Sequence, residues 1–269
     1  MNYEMICEQV IVIAKNAGNF IRDESLKFNA TKIEYKGLND MVSFVDKTAE
    51  AMIINNLTAL IADAGFIAEE GTENIKGEEF NWIIDPLDGT TNFIHGIPTY
   101  AVSIALQQHD ELVIGVVYEI NRDECFYAWK NSAAHLNGKV IHVSDTASIN
   151  SSLIATGFPY YDFKRQTAYM NLFNDVMQKC HGLRRIGAAA VDLAYTACGR
   201  FDAYFEYKLK VWDIAAGLLI VKQAGGEIYD FDGGTDALGK CDVVATNGKI
   251  SKELNEIIYS HFKSKNKSE

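Results

Sequence analysis

Two carboxylates follow a short apolar segment and could together hold a cation. Residues 82–84 are apolar and predict a strand that ends in Asp85, and Asp88 follows three positions later. Pro86 has no N–H to donate, so we expect it to stop the strand ladder there. Gly89 permits a tight turn or the close approach of a ligand to the backbone. Two hard oxygen ligands at such a turn are typical of a Mg²⁺ site that shares its coordination sphere with a substrate phosphate.

The residues after this turn could bind an anion. Thr90 and Thr91 begin a segment that could be a helix, and the first N–H groups of a helix are unpaired and favour negative charge. The carboxylates alone would repel phosphate, but a Mg²⁺ ion between them would restore the attraction. The pattern therefore predicts a phosphate bridged to metal. The alternative is a purely structural turn in which Asp88 caps the helix.

Two further acidic segments could complete such a site. Glu69 and Glu70 follow the apolar segment 66–68, again at a predicted strand end, and Asp213 follows Trp212 at the start of an apolar helix. Each has a structural alternative, since a glutamate pair is commonly part of a solvated face and an aspartate at a helix start commonly caps the helix. Only the combination of the three segments makes the interpretation as a metal site specific.

Alternating helix and strand patterns must position these acids. Apolar residues at helical spacing predict two helices early in the chain, and the polar residues between them predict a loop or hairpin. Asp46 could cap the second helix, and Gly65 stands just past its end. Period-two patterns separated by turn residues predict strands that include an antiparallel meander. The predicted elements of the first half are helix 4–24, loop 31–44, helix 46–64 and strands 66–68, 82–84, 100–107, 112–120 and 124–129.

The second half of the chain also mixes helix and strand patterns. Its predicted strands are 152–156, 201–207 and 242–246, and its predicted helices are 164–180, 188–197, 213–223 and 252–263. This mixture predicts an α/β or α+β fold with layered helices and sheets. We expect one domain over residues 1–269, formed by two closely packed lobes of about 1–145 and 146–269 with a cleft between them.

Composition and charge exclude several classes of function. The formal net charge of −11 leaves no basic surplus, so we expect no nucleic-acid partner. The longest apolar run, 214–221, is too short to span a bilayer, and the N-terminus lacks the pattern of a signal peptide. The five cysteines are scattered without a CxxC pair, which is typical of a reducing compartment. We therefore expect a cytoplasmic protein with no membrane partner.

The three acidic segments together resemble the inositol monophosphatase family. The resemblance rests on the pair Glu69-Glu70, the run DPLDGTTNF over residues 85–93 and the run WDIAAG over residues 212–217, in this order. It covers residues 46–226 or so. It implies a layered αβαβα sandwich, Mg²⁺ as the cofactor with two or three ions per active site, inhibition by Li⁺, and a homodimer.

The resemblance also implies metal ligands, residue by residue. Glu69 corresponds to the glutamate that bridges the metal ions. Asp85, Asp88 and the backbone carbonyl of Leu87 correspond to further metal ligands of the family, and Asp213 corresponds to the aspartate that completes the second metal site.

Catalytic and substrate-binding roles follow from the same resemblance. Asp46 corresponds to an aspartate that partners the motif threonine, Thr90, and these two residues with Glu69 are the implied catalytic set. The segment 187–189 and Glu206 correspond to the groups that contact the hydroxyls of the sugar or inositol. The implied substrate-binding residues are Leu87, Asp88, Gly89, Thr90, Gly187, Ala188, Ala189, Glu206 and Asp213.

The predicted reaction is the Mg²⁺-dependent hydrolysis of a phosphate monoester. We expect a metal-activated water to attack phosphorus without a covalent enzyme intermediate. The expected partner is a small phosphorylated metabolite. Inositol monophosphate is the expected substrate, because residues 90–93 (TTNF) resemble the inositol branch of the family and Glu206 suits a polyol hydroxyl. Related substrates stay open, namely fructose 1,6-bisphosphate, 3'-phosphoadenosine 5'-phosphate, histidinol phosphate and NADP.

Two competing interpretations use a different chemistry or none. Phosphatases of the haloacid dehalogenase type use Asp-x-Asp-Gly-Thr at a strand end, with the first aspartate as nucleophile, whereas here Pro86 and Leu87 separate the two acids. A catalytically inactive binding module that kept the fold is the alternative of a different class. Turnover of a phosphate ester with and without Mg²⁺ distinguishes an enzyme from such a module.

Overall fold

Two β-sheets alternate with helices in the computed structural model, which describes residues 1–27, 35–71, 75–158 and 163–262, without the side chains of residues 35–43. The helices are α1 (Tyr3–Lys27), α2 (Tyr35–Leu60), α3 (Thr90–Ile94), α4 (Gln166–Lys179), α5 (Ala189–Ala197), α6 (Val211–Gln223), α7 (Ala237–Lys240) and α8 (Ser251–Phe262). The strands are β1 (Gly65–Ala68), β2 (Phe80–Asp88), β3 (Ala101–Gln108), β4 (Glu111–Glu119), β5 (Glu124–Trp129), β6 (Ala134–Leu136), β7 (Lys139–Ile141), β8 (Leu153–Thr156), β9 (Gly182–Arg184), β10 (Ala203–Glu206), β11 (Glu227–Tyr229) and β12 (Val243–Thr246).

The first sheet contains β1 to β7 in chain order. β1 pairs parallel with β2, and every later pair is antiparallel, so β3, β4 and β5 form the predicted meander. The second sheet has the order β11-β12-β10-β8-β9. In it, β8 pairs parallel with both β9 and β10, while β12 runs antiparallel to its two neighbours.

Helices cover both faces of each sheet and lie between the two sheets. Alternation along β2 shows this, because Trp82 contacts the core formed with α1 and α2 while Ile83 contacts the core formed with α5 and α6. Tyr204 of β10 belongs to that second core, and Phe205 belongs to a third core with α4 and α8. The layers are therefore helix, sheet, helix, sheet, helix, which confirms the predicted αβαβα sandwich.

The helix α6 approaches the first sheet closely, and this approach positions its N-terminus. A Cβ on Gly115 of β4 would lie 2.6 Å from the carbonyl oxygen of Ala216. Only a residue without a side chain allows the backbones to come this close. The helices α5 and α6 pack between the two sheets and contact both of them. This packing does not mark a boundary between two lobes, so the division of the chain into lobes stays a prediction.

The predicted start of the second helix is wrong. The helix α2 begins at Tyr35, so Asp46 lies inside it and does not cap it, and Gly65 is the first residue of β1. Of the predicted loop 31–44, residues 31–34 lie outside the described part of the chain and the remainder is helical. Gly37 lies inside α2, where a glycine costs only about 1 kcal/mol, and extending an existing helix needs no new nucleation.

The predicted effect of Pro86 is also wrong, because β2 continues through it to Asp88. The register explains how the strand tolerates the proline. Asp85 pairs with Ser103, and the next pair is Asp88 with Ala101, so β2 has one residue more than β3 over this interval. Such a bulge leaves a residue without a ladder hydrogen bond, which is where a proline without an N–H fits.

The remaining predicted elements are confirmed within a few residues of their ends. The sequence patterns missed the short elements β6, β7, β9, β11 and α7, each of three or four residues, which are too brief to show a period. The five cysteines are free. Within the described ranges, no helix has both the length and the apolar character needed to cross a bilayer.

Candidate active site

Parallel pairing of β1 with β2 brings Glu69 beside Asp85. Ala68 pairs with Ile84, and the N–H of Glu69 donates to the carbonyl oxygen of Ile84 at 3.2 Å. The carboxyl groups of Glu69 and Asp85 are in hydrogen-bond contact with each other. Two acids that stand far apart in the sequence therefore meet because both follow the last pairs of neighbouring parallel strands.

The bulge in β2 is held by its own polar groups. The N–H of Leu87 donates to Asp85 Oδ1 at 2.9 Å, and the hydroxyl of Thr90 donates to the carbonyl oxygen of Leu87 at 3.0 Å. Gly89 follows with φ of 92° at the start of α3, a conformation that favours glycine. The turn that the sequence predicted to contact phosphate thus has a defined shape.

Asp88 connects this turn to α5. Its Oδ2 accepts the N–H of Ala190 at 2.8 Å, and the N–H of Ala189 also donates to its carboxyl group. These N–H groups belong to the first turn of the helix, which has no intrahelical acceptor for them. The contact places the predicted segment 187–189 next to Asp88.

Asp213 reaches the site from the first turn of α6. The N-cap of α6 is Lys210, and Asp213 Oδ2 accepts the N–H of Lys210 at 2.7 Å. Asp213 is therefore the acidic third residue of a capping box, not the N-cap that the structural alternative supposed. The preceding residue, Trp212, accepts a hydrogen bond from Ser103 of β3 through its carbonyl oxygen at 3.3 Å.

Burial raises the pKa of all four acids, and mutual repulsion adds to the shift in Glu69, Asp85 and Asp88. Burial raises the pKa of Glu69 to about 7, and the charges of Asp213 and Glu70 add to the effect. Burial also raises the pKa of Asp213 to about 6. The pKa values of Asp85 and Asp88 lie well above their ordinary value, again through burial first and then through the neighbouring acids. A site of this kind favours bound protons or a bound cation.

The four acids fit Mg²⁺ by their chemistry but are not arranged as a finished ligand shell. Carboxylate and carbonyl oxygens are the ligands that Mg²⁺ prefers. In the described part of the chain, no three His, Cys, Asp or Glu side chains stand so that they could hold a metal ion as they are. Asp85, Asp88 and Asp213 are instead turned towards backbone N–H groups. Each of these carboxyl groups keeps a second oxygen that could bind Mg²⁺.

A cavity of about 390 Å³ opens over this group of acids. Most of the predicted site residues line it: Glu69, Asp88, Gly89, Thr90, Gly187, Ala188, Ala189, Glu206 and Asp213. Asp85 and Leu87 do not line the cavity, since both are buried beneath its floor. The structure thus brings together the acids and the substrate segment that the sequence could only place in order.

Asp46 is buried beside the acids but makes no hydrogen bond to Thr90 in the described part of the chain. Its side chain is buried, and its Oδ1 has no hydrogen-bond partner among the described residues. Burial raises its pKa to about 8, and the charges of Glu70, Glu69 and Glu50 add to the shift. The hydroxyl of Thr90 donates to Leu87. The partnership of Asp46 with Thr90 therefore stays a prediction.

Glu206 ends β10 and lines the cavity. The hydroxyl of Tyr204 donates to Glu206 Oε2 at 2.7 Å. Burial raises the pKa of Glu206 to about 7, while Tyr204 and the positive charge of Arg185 oppose this rise. Its position on the cavity wall agrees with a role in contacting substrate.

Several cavity residues were missed by the sequence patterns. Arg185, Lys208 and Lys210 line the cavity together with Asp192, which lies on α5. The basic residues stand within three positions of predicted site residues in the sequence, and that proximity was the signal available for them. The positive charge of Lys210 lowers the pKa of Asp213, so the cavity combines acids and cations.

Comparison with known proteins identifies chains of similar sequence. A model described as the inositol monophosphatase family matches residues 2–267. The putative Nus factor SuhB of Neisseria meningitidis is 40% identical over 249 residues, which cover 92% of this chain and 95% of that protein.

Solved structures with the same fold also resemble the chain. The extragenic suppressor protein suhB of Bartonella henselae has a TM-score of 0.85 and 35% identity, covering 94% of this chain and 98% of that one. The inositol monophosphatase of Anabaena (Nostoc) has a TM-score of 0.86 and 31% identity, covering 97% of this chain and 98% of that one.

Proposed function

Since the chain belongs to the inositol monophosphatase family, we propose that it is a Mg²⁺-dependent phosphatase that releases phosphate from inositol monophosphate. The membership confirms the resemblance seen in the acidic segments, and it supports a phosphatase in general. It excludes the haloacid dehalogenase interpretation. The choice of substrate rests on the cavity.

The observation that carries the proposal is the grouping of four acids with raised pKa values at one cavity. These acids come from three separate parts of the chain: Glu69, Asp88 and Asp213 line the cavity, and the buried Asp85 contacts Glu69. Acids with strongly raised pKa values lower the stability of a protein, and such groups are concentrated at functional sites. A reaction in which a cation assists the conversion of an anionic substrate would need such acids to hold the cation.

Each residue of the site then has a role in the reaction. Mg²⁺ would be held by Glu69, Asp85, Asp88, Asp213 and the carbonyl of Leu87, in two or three positions. When bound, it supplies charge neutralisation and a lowered pKa for water. The turn at Gly89 and Thr90 orients the phosphate, and Glu69 and Thr90 hold the water and its proton in place with the help of Asp46. Asp85 stays a ligand and forms no bond to phosphorus.

The alcohol part of the substrate lies towards Glu206 and the segment 187–189. A carboxyl group there accepts hydrogen bonds from hydroxyls, as a polyol would offer. A second candidate substrate is fructose 1,6-bisphosphate, which is favoured by Arg185, Lys208 and Lys210 at the cavity wall, because cations would pair with a second phosphate. Three further esters stay open, namely 3'-phosphoadenosine 5'-phosphate, histidinol phosphate and NADP, and so does a catalytically inactive module.

A substrate panel at saturating Mg²⁺, repeated with a chelator, tests the proposal. We expect phosphate release from inositol monophosphate with the highest kcat/KM, and none of it without Mg²⁺. A higher kcat/KM for fructose 1,6-bisphosphate would favour the second candidate. No phosphate from any ester would support the inactive module and contradict the proposal.

The names of the relatives raise a second role. The Neisseria relative is called a putative Nus factor, a name that suggests a role in transcription and partly conflicts with the expected absence of a nucleic-acid partner. The formal net charge of −11 disfavours direct phosphate contacts with nucleic acid. We therefore propose that a role of this kind would use protein contacts, and direct binding of RNA by the purified protein would contradict this. Cytoplasmic location, Li⁺ inhibition and a homodimer stay predictions.

A further inference from the structure

Beside Glu206, the cavity contains a second acid that the proposed chemistry does not use. Arg185, Asp192 and Glu206 line one side of the cavity, and we name these three residues the polar corner. The charge of Arg185 lowers the pKa of both carboxyl groups, and the charge of Glu206 raises the pKa of Asp192. All three residues line the same cavity, so they can contact one bound group.

Asp192 has an oxygen without a partner. Its side chain is 1% exposed, and Asp192 Oδ1 accepts no hydrogen bond from the residues that the structure describes. A buried polar atom without a partner lowers stability, so it is rare in native proteins. Asp192 also lines the cavity, so a small shift of its side chain brings Oδ1 within reach of a group bound there, which can then supply the missing hydrogen bond.

Two glycines give the polar corner its shape. A Cβ on Gly157 would lie 1.8 Å from Glu206 Oε2, and a Cβ on Gly187 would lie 2.4 Å from Arg185 Nη1. Each position must therefore lack a side chain for the neighbouring charged group to stand where it does. The hydroxyl of Tyr204 also holds Glu206 in place. The corner is thus built before a ligand arrives.

We propose that Asp192 binds a second hydroxyl of the substrate and, with Glu206, selects a polyol as the alcohol part. The inference rests on the function proposed above. A hydroxyl both donates and accepts, so it pairs with Asp192 Oδ1 in either protonation state of the carboxyl group. The preferred substrate then has at least two free hydroxyls. A phosphate ester without hydroxyls gains nothing from the polar corner.

The test compares Asp192→Leu and Asp192→Asn on inositol 1-phosphate and on 4-nitrophenyl phosphate, both with saturating Mg²⁺. Leucine removes both oxygens, whereas asparagine keeps two polar atoms that pair with a hydroxyl. We expect Asp192→Leu to lower kcat/KM for the polyol about tenfold or more and to change the aryl value little, since hydrogen bonds to charged groups have at least this effect. Asp192→Asn should retain most of the polyol activity.

Thr196→Val is the matched control. Thr196 is buried on the same helix, its hydroxyl donates to the carbonyl oxygen of Asp192 at 2.9 Å, and it does not line the cavity. It should leave the ratio of the two kcat/KM values unchanged. Asp192→Leu should keep or raise the thermal midpoint because it removes an unpartnered buried carboxyl group. If leucine does not fit at this position, Asp192→Ala is measured in place of Asp192→Leu.

An equal loss on both substrates, or no loss of polyol activity, would overturn the role of Asp192. Wild-type protein that hydrolyses the aryl ester but does not prefer the polyol would also overturn it, while leaving the phosphatase proposal intact. Wild-type protein that hydrolyses neither ester with Mg²⁺ would overturn the proposed function itself, and the inference with it.

Discussion

Asp88 Oδ2 accepts the backbone N–H of Ala190 at 2.8 Å. Asp88 is the last residue of β2 in the first sheet, and Ala190 lies in the first turn of α5 between the sheets. A carboxylate at this helix end is favoured by the unpaired N–H groups and the helix dipole. This contact holds the start of α5, next to the substrate segment 187–189. It also places Asp88 beside the other three acids of the site.

Mg²⁺ should stabilise the protein through these acids. We expect added Mg²⁺ to raise the thermal midpoint of the wild type, and Asp85→Asn to remove most of this increase, because binding to the folded state alone raises stability. In a chelator, Asp85→Asn should melt at the same or a higher temperature than wild type, because it removes one of several buried like charges.

The matched control for this measurement is Asp63→Asn, at an exposed aspartate between α2 and β1. It should keep the full response to Mg²⁺ in the same thermal melts. An undiminished response in Asp85→Asn would remove Asp85 from the set of metal ligands.

Asp85 should not form a bond to phosphorus. Its Oδ1 accepts the N–H of Leu87 inside the bulge, and its side chain is buried below the cavity. Rapid acid quench during turnover, followed by analysis of the protein, should find no covalently bound phosphate. An aspartyl-phosphate at Asp85 would disprove attack by water.

The stability of the metal-free protein should fall as the pH rises. The carboxyl groups of Glu69 and Glu206 have an ordinary pKa of 4.5 and a pKa of about 7 in the folded protein. Between these values the unfolded chain loses the proton while the folded chain keeps it, so the free energy of unfolding decreases through this window. The penalty is absent below 4.5 and complete above about 7.

Urea unfolding in a chelator across this window measures the effect. Glu206→Gln should make the decrease shallower, because it removes one of the two groups. Saturating Mg²⁺ should oppose the decrease, since metal ligands must be deprotonated to bind. A free energy of unfolding that increases with pH in the chelator would contradict the assignment of raised pKa values.

Gly157 should be needed for selectivity between substrates. A Cβ there would overlap Glu206 Oε2, so Gly157→Ala should displace the carboxyl group and lower kcat/KM for inositol phosphate about tenfold, with a smaller effect on an aryl phosphate. Gly182→Ala is the control, because its Cβ would come no nearer than 3.3 Å to Arg184 Nη1. Equal effects of the two substitutions would contradict the role of Gly157.

The sequence singled out the acids because their signal is local. Asp85 follows a short apolar run and Asp213 opens an apolar helix pattern, and the family resemblance implied their role as metal ligands. The start of α2 was missed because residues such as Gly37 indicate a turn when only their neighbours in the sequence are considered. The length of a helix depends instead on its tertiary packing. No local pattern assigned Arg185 or Asp192 to the cavity, because their proximity arises only when α5 packs between the sheets.

The most direct measurement is steady-state phosphate release from inositol 1-phosphate by wild type and by Asp213→Asn, each with Mg²⁺ and with a chelator. Asp213 lines the cavity and lies in a capping box whose hydrogen bond an asparagine oxygen can still accept, so the fold should survive. We predict turnover in the wild type with Mg²⁺ and losses of several orders of magnitude in the remaining three conditions. Equal turnover with the chelator, or near-normal turnover by Asp213→Asn, would contradict a Mg²⁺-dependent reaction at this group of acids.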